Sequence, residues 1–247
     1  MNGKFVRRSA TGYYKPIGSL FATGLYHLNG FNDTTNKWKK VVSTDVFTIG
    51  TDSSLKMVSS DAHNDFMYRK DYTAAMTDQF SQFKWQGLTA GDFSLTVAGG
   101  GVTVRHNGTV WPTVSGYYFL IEETSFTGSP VYSWSMGRYA GSGISCSRTV
   151  ITSGSFTPSV GDLFRIEVTG SAPPSIVVKQ NGSTLTSGTD TNPTPFTSGY
   201  PGLIGGTDAV SSNSWFSWSD WAGGPLVPVI PTVPNQWRGS GYWLGVR

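Results

Sequence analysis

Residues 163–182 show most clearly which kind of structure this chain forms. They begin with Leu163-Phe-Arg-Ile-Glu-Val168, in which an apolar residue falls at every second position from Phe164 onward. Successive side chains of a strand point to opposite faces, so this alternation predicts a strand with one buried face. Ser175-Ile-Val-Val-Lys-Gln180 reads as the next strand, and the Asn181-Gly182 pair that follows it is typical of a type I′ hairpin turn. The stretch therefore predicts antiparallel strands joined by tight turns.

The same pattern recurs from about residue 40 to residue 222. Phe80-Ser-Gln-Phe-Lys-Trp85 alternates, and Tyr117-Tyr-Phe-Leu-Ile121 is an apolar run with the length of a buried strand. A last strand is expected over Trp215 to Trp221, and Asn107-Gly108 predicts a second two-residue hairpin. No segment has the periodicity of a helix of three turns. We therefore expect an all-β sandwich of roughly ten or more short strands.

The composition fits a folded β domain. The 247 residues are 38% hydrophobic and only 13% charged, and nine Trp, eleven Tyr and fourteen Phe supply a core. This length allows one large β domain or two small ones. Cys146 is the single cysteine, so no disulfide links two parts of the chain. We expect no membrane partner, because no apolar run reaches about 18 residues, and no signal peptide is visible in Met1 to Lys15.

Charge is distributed unevenly along the chain. Residues 1–40 contain seven basic residues and one acidic residue, whereas residues 41–222 contain nine basic and fourteen acidic residues. Nucleic acid is not an expected partner, because the basic residues form no dense block. We interpret the first segment as a basic arm that docks on a neighbouring subunit; an ordinary solvated segment is the alternative.

The end of the chain places a proline at every third position. Three residues make one turn of a polyproline II helix, so the proline rings line one edge, and the residues between them are almost all apolar. A solvated linker normally carries polar residues, so we expect a docking tail that contacts a neighbouring subunit or a second copy. The alternatives are a mobile tail and one folded back on its own domain. The tail residues expected at the interface are Pro225, Leu226, Pro228, Val229, Ile230, Pro231 and Pro234.

Several segments follow one another in an order that is similar to the order found in a known family. They are Gly161–Gly170, Ile176–Gly182, Asp190, Phe196–Leu203 and Trp215–Asp220. Together they resemble the concanavalin A-like lectin/glucanase jelly roll, in its laminin-G-like branch. The resemblance covers about residues 20–222 and implies two curved antiparallel sheets that often bind glycans and sometimes hydrolyse them. We therefore expect a basic N-terminal arm over 1–20, a concanavalin A-like jelly roll over 21–222 and a docking tail over 223–247.

The carboxylates do not predict a glycosidase. In the glucanases that this chain resembles, the catalytic carboxylates occur in a Glu-x-Asp-x-x-Glu pattern. Glycoside hydrolysis needs two carboxylates across the scissile bond. Glu122, Glu123 and Glu167 are the three glutamates, and the first two are adjacent, so on a strand they point to opposite faces. The histidines lie far apart in sequence, and Arg105-His106 beside the Asn107-Gly108 turn suggests an exposed position. No catalytic residue is therefore assigned, and we expect a protein that is not an enzyme.

Four residues are candidates for glycan binding. Trp111, Tyr200 and Trp221 lie in or beside predicted turns and strand ends, where an aromatic ring can stack on a sugar; core packing is the alternative for each. Asp190 is a candidate for sugar or calcium by the family position that the resemblance implies. No metal site or cofactor is assigned, although Asp61-Ala-His-Asn-Asp65 is either a calcium-binding segment or an Asx-rich turn.

These features lead to one expected function and two alternatives. The expectation is a non-catalytic structural or adhesive subunit, located at a virion (phage) surface or extracellularly, which decorates the particle or attaches it to surface glycans. It would self-associate or bind neighbouring subunits of a larger assembly. One alternative is a carbohydrate-active enzyme, either a polysaccharide lyase or a glycoside hydrolase. The other is a free soluble lectin.

Overall fold

The computed structural model describes ten parts of the chain. They are residues 38–40, 46–49, 55–58, 64–69, 74–89, 98–108, 114–125, 131–142, 145–207 and 215–226. The N-terminal arm, Trp111 and the tail from residue 227 onward lie outside these ranges. So do Asp61 to His63 of the candidate calcium segment.

The described residues form fourteen β-strands. The first seven are β1 (Trp38–Lys40), β2 (Val46–Ile49), β3 (Leu55–Val58), β4 (Asn64–Arg69), β5 (Gln79–Thr89), β6 (Ala98–Asn107) and β7 (Val114–Ser125). The other seven are β8 (Val131–Ser142), β9 (Ser145–Ser155), β10 (Leu163–Thr169), β11 (Ser175–Gln180), β12 (Ser183–Thr189), β13 (Tyr200–Thr207) and β14 (Trp215–Pro225). The all-β prediction is confirmed.

The strands form two seven-stranded sheets, and neighbouring strands are antiparallel throughout. The first sheet has the order β1-β4-β13-β6-β7-β8-β9, and the second has the order β12-β11-β10-β5-β14-β3-β2. Strands distant in sequence are therefore adjacent, as β13 beside β6 and β14 beside β5 show. Strand β9 ends the first sheet and β12 ends the second, and these two edges contact each other.

The main core lies between the sheets and follows from strand alternation. In β10, Phe164, Ile166 and Val168 are fully buried, whereas the residues between them are partly exposed. The five residues Tyr117 to Ile121 of β7 are all buried, because this sheet also carries apolar packing on its outer face. The sixteen buried residues of the main core are Phe83, Trp85, Val102, Val104, Tyr117, Phe119, Ile121, Trp134, Met136, Phe164, Ile166, Val168, Ile176, Val178, Leu203 and Trp221.

One predicted hairpin is confirmed and the other is wrong. Gln180 pairs with Ser183 across Asn181 and Gly182, and both turn residues have positive φ (52° and 86°), as a type I′ turn requires. Asn107, by contrast, pairs with Ser115, so the β6–β7 connection is longer than two residues. The register near Asn107 is set by long-range pairing of β6 with β13 and β7, which overrides the local turn preference.

The start of the predicted tail belongs to a strand. Pro225 is the last residue of β14 and pairs with Gln79, and the Leu226 backbone N–H donates to the Asp78 carbonyl at 2.9 Å. Pro225 is exposed and Leu226 is half-buried. The other tail residues expected at an interface, from Pro228 to Pro234, lie outside the described ranges, so a docking role for the tail stays a prediction.

Candidate functional site

A groove lies on the outer face of the first sheet, over β7, β8 and β9. Its volume is about 570 Å³. Strand β8 lies between β7 and β9, and β9 is the last strand of the sheet. The groove therefore extends to the sheet edge.

Four serines line the groove in two facing pairs. Ser133 of β8 is directly opposite Ser155 of β9, and Ser135 is directly opposite Ser153. Residues at alternate positions of a strand share a face, so Ser-x-Ser on each strand places all four hydroxyls on the outer face. A hydroxyl both donates and accepts hydrogen bonds, and these four give the groove a polar lining.

An ion pair supplies the two charged residues among the described residues that line the groove. Arg148 Nη1 donates to Glu122 Oε1 at 2.9 Å, and both side chains are partly accessible, at 29% and 19%. This is a single-point contact. Within the described residues, the Nε and Nη2 atoms of Arg148 and the Oε2 atom of Glu122 have no hydrogen-bond partner. They remain available to a ligand.

A β-bulge brings Arg148 to this face. Met136 pairs with Thr152 but Gly137 pairs with Val150, so Ile151 is an extra residue in β9. The bulge shifts the alternation by one position, and Arg148 consequently lies on the same face as Ser153. Ile151 packs against the main core instead. Without the bulge, Arg148 would point to the opposite face.

Aromatic residues support the groove but expose little ring surface. Tyr118 lines it and is fully buried within a second apolar cluster on this outer face, together with Leu120 and Tyr139. Trp134 also lines the groove and is 8% exposed. Gly154 faces the indole, since a Cβ at this position would lie 2.7 Å from Trp134 Cζ2. Recognition here would depend on polar groups more than on ring stacking.

The neighbouring Glu123 is directed away from the groove, as the sequence predicted for adjacent glutamates. It is 7% exposed, and burial raises the pKa of its carboxyl group, although a hydrogen bond with Tyr132 opposes that shift. Of the described lining residues, Glu122 consequently supplies the one carboxylate, and that carboxylate is paired with an arginine.

The candidate glycan-binding residues are not brought together. Tyr200 is half-buried and packs against the second apolar cluster, so it shares the outer face with the groove without lining it. Trp221 is fully buried in the main core, where its indole N–H donates to Ser81 Oγ at 3.0 Å. The interpretation of Trp221 as a sugar platform is therefore corrected: a ring without exposed surface cannot stack on a ligand. Trp111 lies outside the described residues.

Asp190 holds a loop in place. Its Oδ2 atom accepts hydrogen bonds from the Tyr117 hydroxyl at 2.8 Å and from Arg138 Nη1 at 3.2 Å, and its Oδ1 atom accepts from the Asn192 backbone N–H at 2.9 Å. The residue is 3% exposed. This geometry gives Asp190 a structural role, because both carboxylate oxygens accept hydrogen bonds from protein donors. That Asp190 binds sugar or calcium stays a prediction.

The Arg105-His106 pair is fully buried, which corrects the expectation that it is exposed. The Arg105 guanidinium donates to the backbone carbonyls of Thr77, Phe196 and Gly170 and so joins three loop segments. His106 Nδ1 lies 2.6 Å from the Tyr139 hydroxyl, and burial lowers the pKa of the imidazole to about 4.

Neither a metal cluster nor a membrane-spanning helix occurs in the described ranges. No group of three or more His, Cys, Asp or Glu side chains is close enough there to hold a metal ion. No helix in those ranges is long and apolar enough to cross a bilayer. The candidate calcium segment reaches the described part only through Asn64 and Asp65 of β4.

Comparison with known proteins identifies the fold. No protein-family model matches the sequence, and no curated protein matches it. The carbohydrate recognition domain of Emp46p in its potassium-bound form is similar, with 11% identity, a TM-score of 0.54 and coverage of 83% of this chain and 98% of that chain. The fold is a lectin-like jelly roll.

Two further structures agree with this assignment. The carbohydrate recognition domain of Emp47p has 12% identity, a TM-score of 0.50 and coverage of 82% of this chain and 95% of that chain. A protein of unknown function with a galectin-like fold from Bacillus subtilis has 10% identity, a TM-score of 0.50 and coverage of 81% and 96%. Identities this low show a shared fold alone, so function must be argued from the groove.

The groove of this jelly roll was not predicted from the sequence. Glu122 was considered there only as a catalytic carboxylate, and neither Arg148 nor the serines were candidates. One local signal was present: Ser133-Trp-Ser135 and Ser153-Gly-Ser155 each place two hydroxyls on one strand face. Their pairing across β8 and β9 depends on the sheet register.

Proposed function

We propose that this chain is a non-catalytic glycan-binding protein and that its ligand occupies the groove over β7, β8 and β9. The observation that carries the proposal is the groove's mixed polar lining. Four serine hydroxyls line the groove together with one arginine and one glutamate, each of which has hydrogen-bonding atoms that are unpaired within the described residues. A sugar presents closely spaced hydroxyl groups that both donate and accept, and such a lining can satisfy them.

The same lining supports a binding function over hydrolysis. Glycoside hydrolysis in its usual form needs a second carboxylate within about 5–10 Å of the first. In the part of the chain that the structure describes, Glu122 is the one carboxylate that lines the groove, and Glu123 faces away. Oε1 of Glu122 already accepts from Arg148, and its Oε2 atom can accept hydrogen bonds from sugar hydroxyls.

The family and setting extend the proposal. We infer that the jelly roll belongs to the concanavalin A-like group, as the order of the segments from Gly161 to Asp220 suggests. We further propose that it is a subunit of a virion surface or another extracellular assembly. The basic residues before residue 41 and the apolar proline-rich tail support that setting, since both suit contact with neighbouring subunits.

Three experiments test these proposals separately. A glycan array probed with the full chain tests ligand binding. A glycan that binds the wild-type chain should no longer bind a variant whose groove is filled by a larger side chain. Size-exclusion chromatography of the chain with and without residues 227–247 tests assembly, and this truncation leaves β14 intact. A smaller apparent mass on truncation supports the subunit role, and an unchanged mass contradicts it. Release of sugar products from a polysaccharide would contradict the non-catalytic role.

A further inference from the structure

We infer that the groove selects uncharged glycans and rejects glycans that carry carboxylate or sulfate groups at the contact site. This inference rests on the proposed function, because it names the ligand class of the same groove. The deciding feature is charge compensation: the described residues that line the groove include one positive and one negative group, and these are 2.9 Å apart.

An anionic sugar has no unopposed cation to bind. Arginine recognises carboxylates best through two parallel hydrogen bonds to its planar fork. Arg148 donates to Glu122 through Nη1, and its Nε and Nη2 atoms are the donors left for an incoming carboxylate. Glu122 already compensates the charge of that guanidinium, so an anion at these donors gains less than it would from an unpaired arginine. Glu122 therefore acts as the element that excludes anions.

An uncharged sugar meets no such penalty. Its hydroxyls can donate to Glu122 Oε2 and accept from Arg148 Nη2 without breaking the ion pair. The serines, which are uncharged, can exchange hydrogen bonds with further hydroxyls in either direction. The ion pair thus supplies a donor and an acceptor side by side, which matches two neighbouring hydroxyls of one sugar ring.

The outer face of the second sheet offers a control site with a different balance of charge. The outer face of the second sheet carries its own ion pairs, in which Glu167 contacts Arg165 at 2.7 Å and Lys179 at 2.9 Å. That face has two cations for one anion at this cluster. A Glu167→Gln variant therefore removes a paired glutamate of the same kind from the opposite sheet and serves as a matched control for Glu122→Gln.

The test compares neutral oligosaccharides with their C6-oxidised uronate forms on one array. The wild-type chain should bind the neutral members, and its affinity for the uronate members should be lower by at least about tenfold. Glu122→Gln should raise uronate binding toward the neutral level, because Arg148 then has no carboxylate partner. Arg148→Gln should lower uronate binding further, because an unpaired Glu122 remains. Glu167→Gln should change neither.

The outcomes separate the two ideas. No binding to any glycan would overturn the proposed function and the selectivity with it. Equal or tighter binding of uronates by the wild-type chain would overturn the selectivity alone. If the wild-type chain binds neutral glycans but neither Glu122→Gln nor Arg148→Gln changes the affinity for uronates, the proposed role of the ion pair is overturned. The two variants are expected to act in opposite directions, so either one tests the inference if the other fails to fold.

Discussion

Arg148 Nη1 lies 2.9 Å from Glu122 Oε1, so a side chain of β9 meets a side chain of β7 across the intervening strand β8. Glu122 is in register with Ser133, whereas Arg148 is in register with Tyr139, six positions further along β8. Along β8, the register position of Glu122 lies on one side of Ser135 and that of Arg148 lies on the other. The two charged side chains therefore extend toward each other along the groove. This contact joins three strands and lies within the polar lining that we propose as the ligand site.

Filling the groove should abolish glycan binding without unfolding the domain. Ser153→Leu adds an apolar side chain to the exposed lining, where it blocks ligand and removes a hydroxyl. We expect glycan binding to fall by at least about tenfold, while the free energy of unfolding changes by less than about 0.5 kcal/mol, as for most surface substitutions. Ser187→Leu on the exposed edge strand β12 is the control, and it should leave binding unchanged. Full binding by Ser153→Leu would place the ligand elsewhere.

Removing the buried carboxylate of Asp190 should destabilise the fold strongly. Asp190→Ala leaves Arg138, whose side chain is 13% exposed, without its ion-pair partner, and it removes the acceptor of the Tyr117 hydroxyl. Breaking a buried pair in this way costs about 3–5 kcal/mol. Lys84→Gln, which breaks the half-exposed pair with Asp220, should cost about 1 kcal/mol or less. Urea unfolding of both variants measures the difference.

A calcium titration distinguishes this structural role of Asp190 from a metal-binding role. If Asp190 only anchors the loop, calcium should not change the difference in unfolding free energy between the wild-type chain and Asp190→Ala. Stabilisation of the wild-type chain by calcium that disappears in Asp190→Ala would show that this residue is a ligand after all.

His106 should make the fold less stable in acid. Burial lowers the pKa of its imidazole to about 4, whereas the unfolded chain has the ordinary value of about 6.5. The unfolded chain thus binds the proton more readily between these values. The contribution of His106 to stability is fully present above pH about 6.5 and is lost as pH falls toward about 4, for a total of about 3 kcal/mol.

The variant that checks this pH dependence is His106→Gln, which cannot titrate. Its unfolding free energy, measured by urea titration, should fall less steeply than that of the wild-type chain between pH about 6.5 and about 4. The carboxylates are common to both proteins, so the difference between the two curves isolates the imidazole. Parallel curves would show that His106 does not titrate with a lowered pKa.

Trp221 should behave as a core residue in mutagenesis. Trp221→Ala removes a fully buried indole and is expected to cost about 3–5 kcal/mol of stability. Trp221→Phe retains a ring but loses the hydrogen bond to Ser81, and it should cost less while leaving glycan binding intact. Circular dichroism during thermal unfolding and the glycan array measure the two effects. Loss of binding by a folded Trp221→Phe variant would contradict the assignment to the core.

Local sequence was sufficient to predict several of the strands and the all-β class. The alternation from Phe164 to Val168 reflects a period of two, which any strand with one buried face must have. The Asn181-Gly182 turn was equally predictable, because both residues tolerate the positive φ that they adopt. The alternation and the turn both depend on the backbone geometry of residues that are neighbours in sequence. They can therefore be read from the sequence without knowing which strands pair.

The site, in contrast, depends on which strands become neighbours and on where their alternation is interrupted. Glu122 and Arg148 are 26 residues apart in sequence, and only the order β7-β8-β9 brings them together. The extra residue Ile151 then reverses the faces of β9, so that Arg148 lies on the same side as Ser153. A sequence pattern of period two cannot show such a bulge, because the bulge arises from pairing with another strand. Trp221 was misassigned for the same reason: its burial is decided by the packing of two sheets against each other.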